Sequence, residues 1–203
     1  METGLFAAEG EDLVEAAAAA GVEPLELLIA GENVLPALLG EVSTLGHAPR
    51  VIAVYRREDL PTGERDVVLA LWRVADPGNV GTLLRTVDAF GAAVALSGGC
   101  ADPLGPRALR ASAGAIFRVP IVDWDAVPER RVALVAHGGG SLESVNLEPP
   151  LTFLLGAERE GLPHDLVAQS HKATIALPGA AESLNVAAAG AIALYELSRR
   201  SRS

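Results

Sequence analysis

Five apolar runs constrain this chain most: DVVLALW (66–72), AAVALSG (92–98), RVALVAH (131–137), LTFLLG (151–156) and ATIALP (173–178). None alternates polar with apolar residues. A strand with one wet face alternates, whereas a strand covered on both faces reads as an unbroken apolar run. Helix-like stretches separate the five, so the pattern predicts an α/β fold, a parallel sheet with helices on both faces.

Residues 1–57 read as a smaller α/β unit. GLFAAEG is a short strand, EDLVEAAAAAG a helix ended by Gly21, and PLELLIAG a second strand. A helix over NVLPALLGEVSTLG then leads to the apolar run RVIAVYR. Residues 58–65 have the charge, Pro and Gly of a linker. The larger unit is expected over 66–203.

With one cysteine, Cys100, the chain has no internal disulfide framework and no cysteine pair for zinc. His47, His137, His164 and His171 show no metal spacing. The acidic start does not read as a secretory signal. No apolar run approaches the roughly 18 residues of a membrane span. These features predict a cytoplasmic protein with neither metal nor membrane partner.

A net charge of −10 would ordinarily argue against nucleic acid, but it is unevenly spread. Residues 1–60 hold 11 acids against 3 arginines, and the remainder 15 acids against 13 basic residues. Between Pro103 and Val122 no acid occurs, while Arg107, Arg110 and Arg118 do. Such a local patch can take phosphate on an acidic protein.

Three segments carry polar residues where strands end. In DPGNVGTLLRTVDAFGA (76–92), Asp76 to Asn79 is turn chemistry, Asn79 can cap the following helix, and Arg85 lies six residues on. Read locally, this is a capped helix with a surface arginine. In LTFLLGAEREGLPHD (151–165) a buried strand ends at Gly156, with Glu158 just beyond. Glycine at such a strand end lets a ligand approach the backbone, although a turn explains it equally well. In TIALPGAAESLNVAAAGAIALYEL (174–197), Ser183 and Asn185 open a helix rich in small residues. Asn185 reads locally as a capping amide, and 187–190 allow another backbone to pack close.

Taken in order, the three segments resemble the motifs of the SpoU-type branch of the SPOUT superfamily, S-adenosylmethionine-dependent RNA ribose 2′-O-methyltransferases. RALRASAGAIFRVPI between the first two adds to a likeness that covers about residues 66–198. The resemblance implies a C-terminal deep trefoil knot. It implies that Asn79, Arg85, Glu158, Ser183 and Asn185 are catalytic, with Gly156, Ile175, Leu177, Leu184 and Asn185 around the adenosyl part of the cofactor. HGGG (137–140) reads as a glycine turn, with a cofactor border as the alternative. No G-x-G-x-x-G follows the first strand of the larger unit, which disfavours a Rossmann cofactor site.

The implied reaction is methyl transfer to a ribose 2′-hydroxyl of RNA, with ribosomal RNA ahead of transfer RNA. The alternative is an inactive knotted protein that holds cofactor or RNA. A guanidinium keeps its proton in proteins, so Arg85 suits a phosphate clamp and alkoxide stabiliser better than a base. Residues 1–57 resemble the ribosomal-protein-like RNA-binding domain that precedes many such enzymes. A homodimer is implied, with Ile192, Leu194 and Leu197 of the last helix offering a face.

Overall fold

The computed structural model describes residues 4–201. In the first unit, β1 (Leu5–Glu9), β2 (Glu26–Ile29) and β3 (Val51–Arg56) form an antiparallel sheet in the order β1-β3-β2. Two helices, α1 (Glu11–Ala19) and α2 (Pro36–Val42), lie between these strands in sequence. The helix expected from residue 33 begins only at Pro36, whose fixed φ suits a first helical position. Asn33 closes a turn instead: its Oδ1 accepts from the Ile29 amide at 2.8 Å and its Nδ2 donates to the Leu27 carbonyl at 2.8 Å.

The 3-10 turn Arg57–Asp59 and extended chain lead to the second sheet. Its strands are β4 (Val67–Leu71), β5 (Ala93–Leu96), β6 (Ile121–Val122), β7 (Arg131–Leu134), β8 (Gly140–Ser141), β9 (Leu151–Leu155) and β10 (His171–Thr174). They pair in parallel in the order β6-β5-β4-β9-β7-β10-β8. The ATIALP run leaves the ladder after Thr174, because β7 stops at Leu134, opposite Ala173, and β8 at Ser141, opposite Thr174.

The helices are α3 (Pro77–Phe90), α4 (Pro106–Ser112), α5 (His164–Ala168) and α6 (Val186–Arg200). They cover the sheet unequally. Leu69, Leu71, Val94, Phe153 and Leu155 pack with side chains of α3, α4 and α6. On the other face Val68, Ala70, Ala95 and Leu154 meet Trp124, Val127, Leu162 and Val167, so α5 is the one α-helix there among the described residues. All of β9 is buried, as its unbroken run requires. Burying each such Leu or Phe contributes on the order of 1.5–3 kcal/mol.

Small residues bring α6 down onto this layer. A Cβ on Gly190 would lie 2.6 Å from Leu83 Cδ2, so any larger residue would force Leu83 to shift where α6 crosses α3. The expected dimer face divides accordingly: Leu194 and Leu197 are buried in the chain's own core, while Ile192 and Tyr195 remain exposed. The first unit joins the same core. Phe117, from the 3-10 turn after α4, has its ring centroid 5.2 Å from that of Tyr55 and 6.1 Å from that of Phe6.

The end of α6 is tied down by charge. Arg200 donates to the carbonyls of Leu142 at 2.5 Å and Val145 at 2.7 Å, and Glu196 accepts from both Arg199 and Arg200. Hydrogen bonds from Arg199, then Arg200, hold the Glu196 carboxyl down to about 2 from an ordinary 4.5. A carboxylate depressed by folding stabilises above its unfolded value and loses that contribution as pH falls from 4.5 through about 2. Glu196→Gln therefore removes part of the acid sensitivity. Urea unfolding at pH 6 and pH 3 should show a smaller stability difference for the variant than for the wild type.

Candidate active site

Three loops meet where the second sheet's central strands end. After β4 the chain turns through residues 72–75, and Asp76 caps α3 by accepting from the Asn79 amide at 2.9 Å. Asp76, not Asn79, is thus the cap. The amide in question is Asn79's own, which its side chain cannot cap from inside the helix, whereas Asp76, three residues earlier, stands at the N-cap position and its charge also suits the positive helix end. Asn79, inside the first turn, has its side chain free to reach outward.

That side chain links the other two loops. Its Nδ2 donates to Glu158 Oε1 at 2.9 Å, and its Oδ1 accepts from Asn185 Nδ2 at 3.0 Å. Asn185 caps α6, its Oδ1 accepting from the amides of Ala187 at 2.8 Å and Ala188 at 3.3 Å. The direction of the chain is forced. Helix amides can only donate, so the oxygen of Asn185 must face them, its nitrogen must face Asn79 and the nitrogen of Asn79 must face Glu158.

Two cavities flank this chain. The first, about 610 Å³, is bordered by Gly156, Ile175, Leu177, Ser183, Leu184 and Asn185, together with residues 134–137. His137, which opens the HGGG turn, therefore does border it. The second, about 800 Å³, is bordered by Arg73, Asp76, Asn79 and Glu160, and shares Glu158, Arg159 and Asn185 with the first. Glu158 and Asn185 thus stand in the wall between the two.

Of the two readings of Gly156, ligand approach and a turn, the loop geometry supports the turn. A Cβ there would lie 2.2 Å from the Gly161 carbonyl carbon and 2.4 Å from the Leu162 nitrogen. The loop of Glu158 folds back against its own strand end, closed by the Gly161 amide donating to the Ala157 carbonyl at 2.9 Å. Gly156 is required by protein backbone.

Other expected residues lie elsewhere. Arg85 is exposed, borders neither cavity, and makes no hydrogen bond or ion pair among the described residues. Six residues along a helix rotate a side chain about 120° away from Asn79 and about 9 Å onward, so one chain alone does not bring it to the cluster. The basic patch is largely spent within the protein. Arg118 makes a two-pronged pair with Asp88, 2.7 Å at its shortest, and Arg110 donates to Thr44 Oγ1 at 3.2 Å. Of the three, Arg107 alone is exposed without a partner among the described residues. Arg73 and Arg159, which local spacing did not single out, are the two cations at the second cavity.

Comparison with known proteins decides the family. The SpoU rRNA Methylase family model matches residues 66–195, well over half of the chain. The chain belongs to this family. Among its relatives is the 23S rRNA (guanosine(2553)-2′-O)-methyltransferase RlmP of Bacillus subtilis, 32% identical over 97% of this chain and 89% of that protein. An uncharacterized tRNA/rRNA methyltransferase of Synechocystis is 33% identical over 65% of this chain, which spans only about half (53%) of that relative. In structure it is similar to the SpoU methyltransferase AviRb of Streptomyces viridochromogenes, solved in complex with AdoMet. The TM-score is 0.86 at 25% identity, covering 98% of this chain and 91% of AviRb.

The first cavity fits the cofactor of a SpoU enzyme, S-adenosylmethionine. Its volume is that of a site for a ligand of nucleoside size. Residues 175–184 make no main-chain hydrogen bond among the described residues, leaving amides and carbonyls beside the apolar Ile175, Leu177 and Leu184. A purine and a ribose need that combination: apolar walls for the ring faces, and backbone donors and acceptors for the edges and hydroxyls.

The cap and the bridge at Asn185 can be separated. Asn185→Ala loses both and should lower the unfolding free energy by about 1 kcal/mol. Asn185→Asp keeps a good cap but has no donor for Asn79. Urea unfolding should find that variant near wild type, with methyl transfer reduced at least tenfold; full activity would refute the bridging role.

Proposed function

We propose that this chain transfers a methyl group from S-adenosylmethionine to a ribose 2′-hydroxyl of structured RNA, with ribosomal RNA the favoured substrate. The observation that carries the reading is the Asn185–Asn79–Glu158 chain, standing in the wall between a nucleoside-sized cavity and a second, open one. Family membership supplies the reaction class, and the 23S rRNA relatives favour ribosomal over transfer RNA.

When bound, the cofactor supplies a methyl carbon activated by its sulfonium. The chain's own residues position the acceptor. Oε1 of Glu158 is engaged by Asn79, whereas Oε2 has no partner among the described residues and is available to accept from the ribose hydroxyl. With Asn185 locked to α6 and Asn79 locked to Asn185, Glu158 holds one orientation before substrate arrives, which removes reorganisation from the barrier. Ser183, exposed beside the first cavity and without a partner, is a further hydroxyl for the cofactor. Residues 175–184, threaded past Gly156 before α6, form the crossing of the proposed C-terminal knot.

Arg85 enters through a dimer. It is exposed and unpartnered, and Ile192 and Tyr195 of the neighbouring α6 are exposed too. A second copy placed on this face brings its Arg85 to the open cavity, to clamp phosphate and stabilise the developing alkoxide. The first unit, docked through Phe117, extends the surface offered to RNA.

Tritiated cofactor incubated with unmodified ribosomal RNA should give a labelled 2′-O-methyl nucleotide. Labelled transfer RNA alone, or no transfer to either RNA, would overturn the ribosomal reading. Arg85→Ala should lower turnover about 100-fold or more while calorimetry finds cofactor affinity unchanged. Mixing Arg85→Ala with Glu158→Ala chains should restore up to about a quarter of wild-type activity if each site draws on both copies, and nothing if it does not.

A further inference from the structure

Arg73 borders the second cavity and has no part in the chemistry above. Its backbone is unusual. At φ 52° it is one of two non-glycine residues at positive φ among the described ones. The other, Ala113, ends α4 as a left-handed cap, where such a conformation is ordinary. Arg73 caps no helix. A left-handed conformation disfavours a long side chain, and such outliers concentrate at binding sites.

The position is also firmly held. The Arg73 amide donates to Ser97 Oγ at 2.9 Å, and the preceding Trp72 amide donates to the Leu155 carbonyl at 2.8 Å. A long, half-exposed side chain therefore projects from a fixed point beside the wall formed by Glu158. Its one ion pair is with Glu160, 3.6 Å from Nη1 to Oε2, and both side chains are more than half exposed. Such a pair is weak and easily exchanged.

The acids around this cavity differ in how far they are committed. Asp76 is bound to the start of α3 and Glu158 to Asn79, whereas among the described residues Glu160 interacts with Arg73 alone. A guanidinium fork matches a phosphate in two-pronged geometry better than it matches one carboxylate oxygen at 3.6 Å. We propose that Arg73 grips a backbone phosphate of the RNA strand beside the target ribose, and that Glu160 occupies the guanidinium until that phosphate displaces it. The inference rests on the RNA methyl-transfer reading above and adds to it a binding residue and its counter-ion.

Two variants of opposite sign test it. Arg73→Asn suits the left-handed backbone, so thermal unfolding should not fall; Glu160→Gln keeps the shape and removes the competing charge. The probe is a fluorescein-labelled single-stranded oligouridylate, its binding followed by anisotropy between about 50 and 200 mM salt. Arg73→Asn should weaken binding and flatten the log–log salt slope by about 0.7, as expected for one lost phosphate contact on a single strand. Glu160→Gln should bind about threefold tighter at the low-salt end. Cofactor affinity by calorimetry should be unchanged in both.

An unaltered slope in Arg73→Asn, or weaker binding by Glu160→Gln, overturns the assignment. Equal losses of thermal stability and cofactor affinity in both variants would mean that the pair merely braces its loop, and would overturn it as well. Failure of the parent reading looks different: wild-type protein that binds cofactor but no RNA would sink both, whereas RNA binding with an unaltered Arg73→Asn slope sinks this inference alone.

Discussion

The site depends on one amide being held in one orientation. Asn185 sits where α6 presents unpaired amides, and those amides can be satisfied only by its oxygen. Its nitrogen then points at Asn79, and the nitrogen of Asn79 at Glu158. A helix start thus fixes the direction of a hydrogen-bond chain that spans three loops distant in sequence. Polar groups ordered in this way meet a substrate without first rearranging, which is where much of an enzyme's advantage over water arises.

The amide can act only because α6 is seated deeply. Gly190 lets the helix cross α3 against Leu83, and the buried Val186, Ala187 and Ala193 keep the contact close. At the other end Arg200 holds the carbonyls of Leu142 and Val145, so both ends of α6 are anchored to loops. Residues 175–184 lie between β10 and that helix without main-chain hydrogen bonds among the described residues, and Ile175, Leu177, Glu182, Ser183 and Leu184 border the first cavity. Tight packing at the helix is what allows the loop before it to stay unpaired and still have a defined place.

Charge shows how local arrangement overrides a total. The chain is acidic, and two of the three arginines in its acid-free stretch are bonded internally. The Arg118–Asp88 and Arg110–Thr44 contacts, although solvent-exposed, engage these two arginines with α3 and with the first unit. Glu9 joins the second of these contacts. Burial raises its carboxyl, but hydrogen bonds from Ser43 and Thr44, with Arg110 nearby, outweigh that and leave it below its ordinary value. The cations left beside the cavities are Arg73 and Arg159, set among the residues of the wall.

Much of this was legible in the sequence. The unbroken apolar runs gave the parallel sheet, since an all-apolar strand must be covered on both faces, and the motif order gave the family and a set of expected residues of which all but Arg85 border a cavity. Other features were not legible, because each depends on what another segment does. Asp76 is the cap because α3 begins at Pro77 and leaves Asn79 inside its first turn, and Gly156 proved necessary because its own loop returns to where a Cβ would lie only 2.2 Å from the Gly161 carbonyl carbon. Arg85 stands apart because helical rotation carries it away from Asn79, and Arg73 gained its place from a strand-end conformation that no local pattern signals. Sequence by itself did not determine the short strands Ile121–Val122 and Gly140–Ser141, which exist only through their neighbours. It determined the central strands and which residues carry polar chemistry, since burial and hydrogen-bonding capacity belong to the residues. Tertiary structure alone decided which of those residues share a wall, because that follows from the packing of strands and helices far apart in the chain.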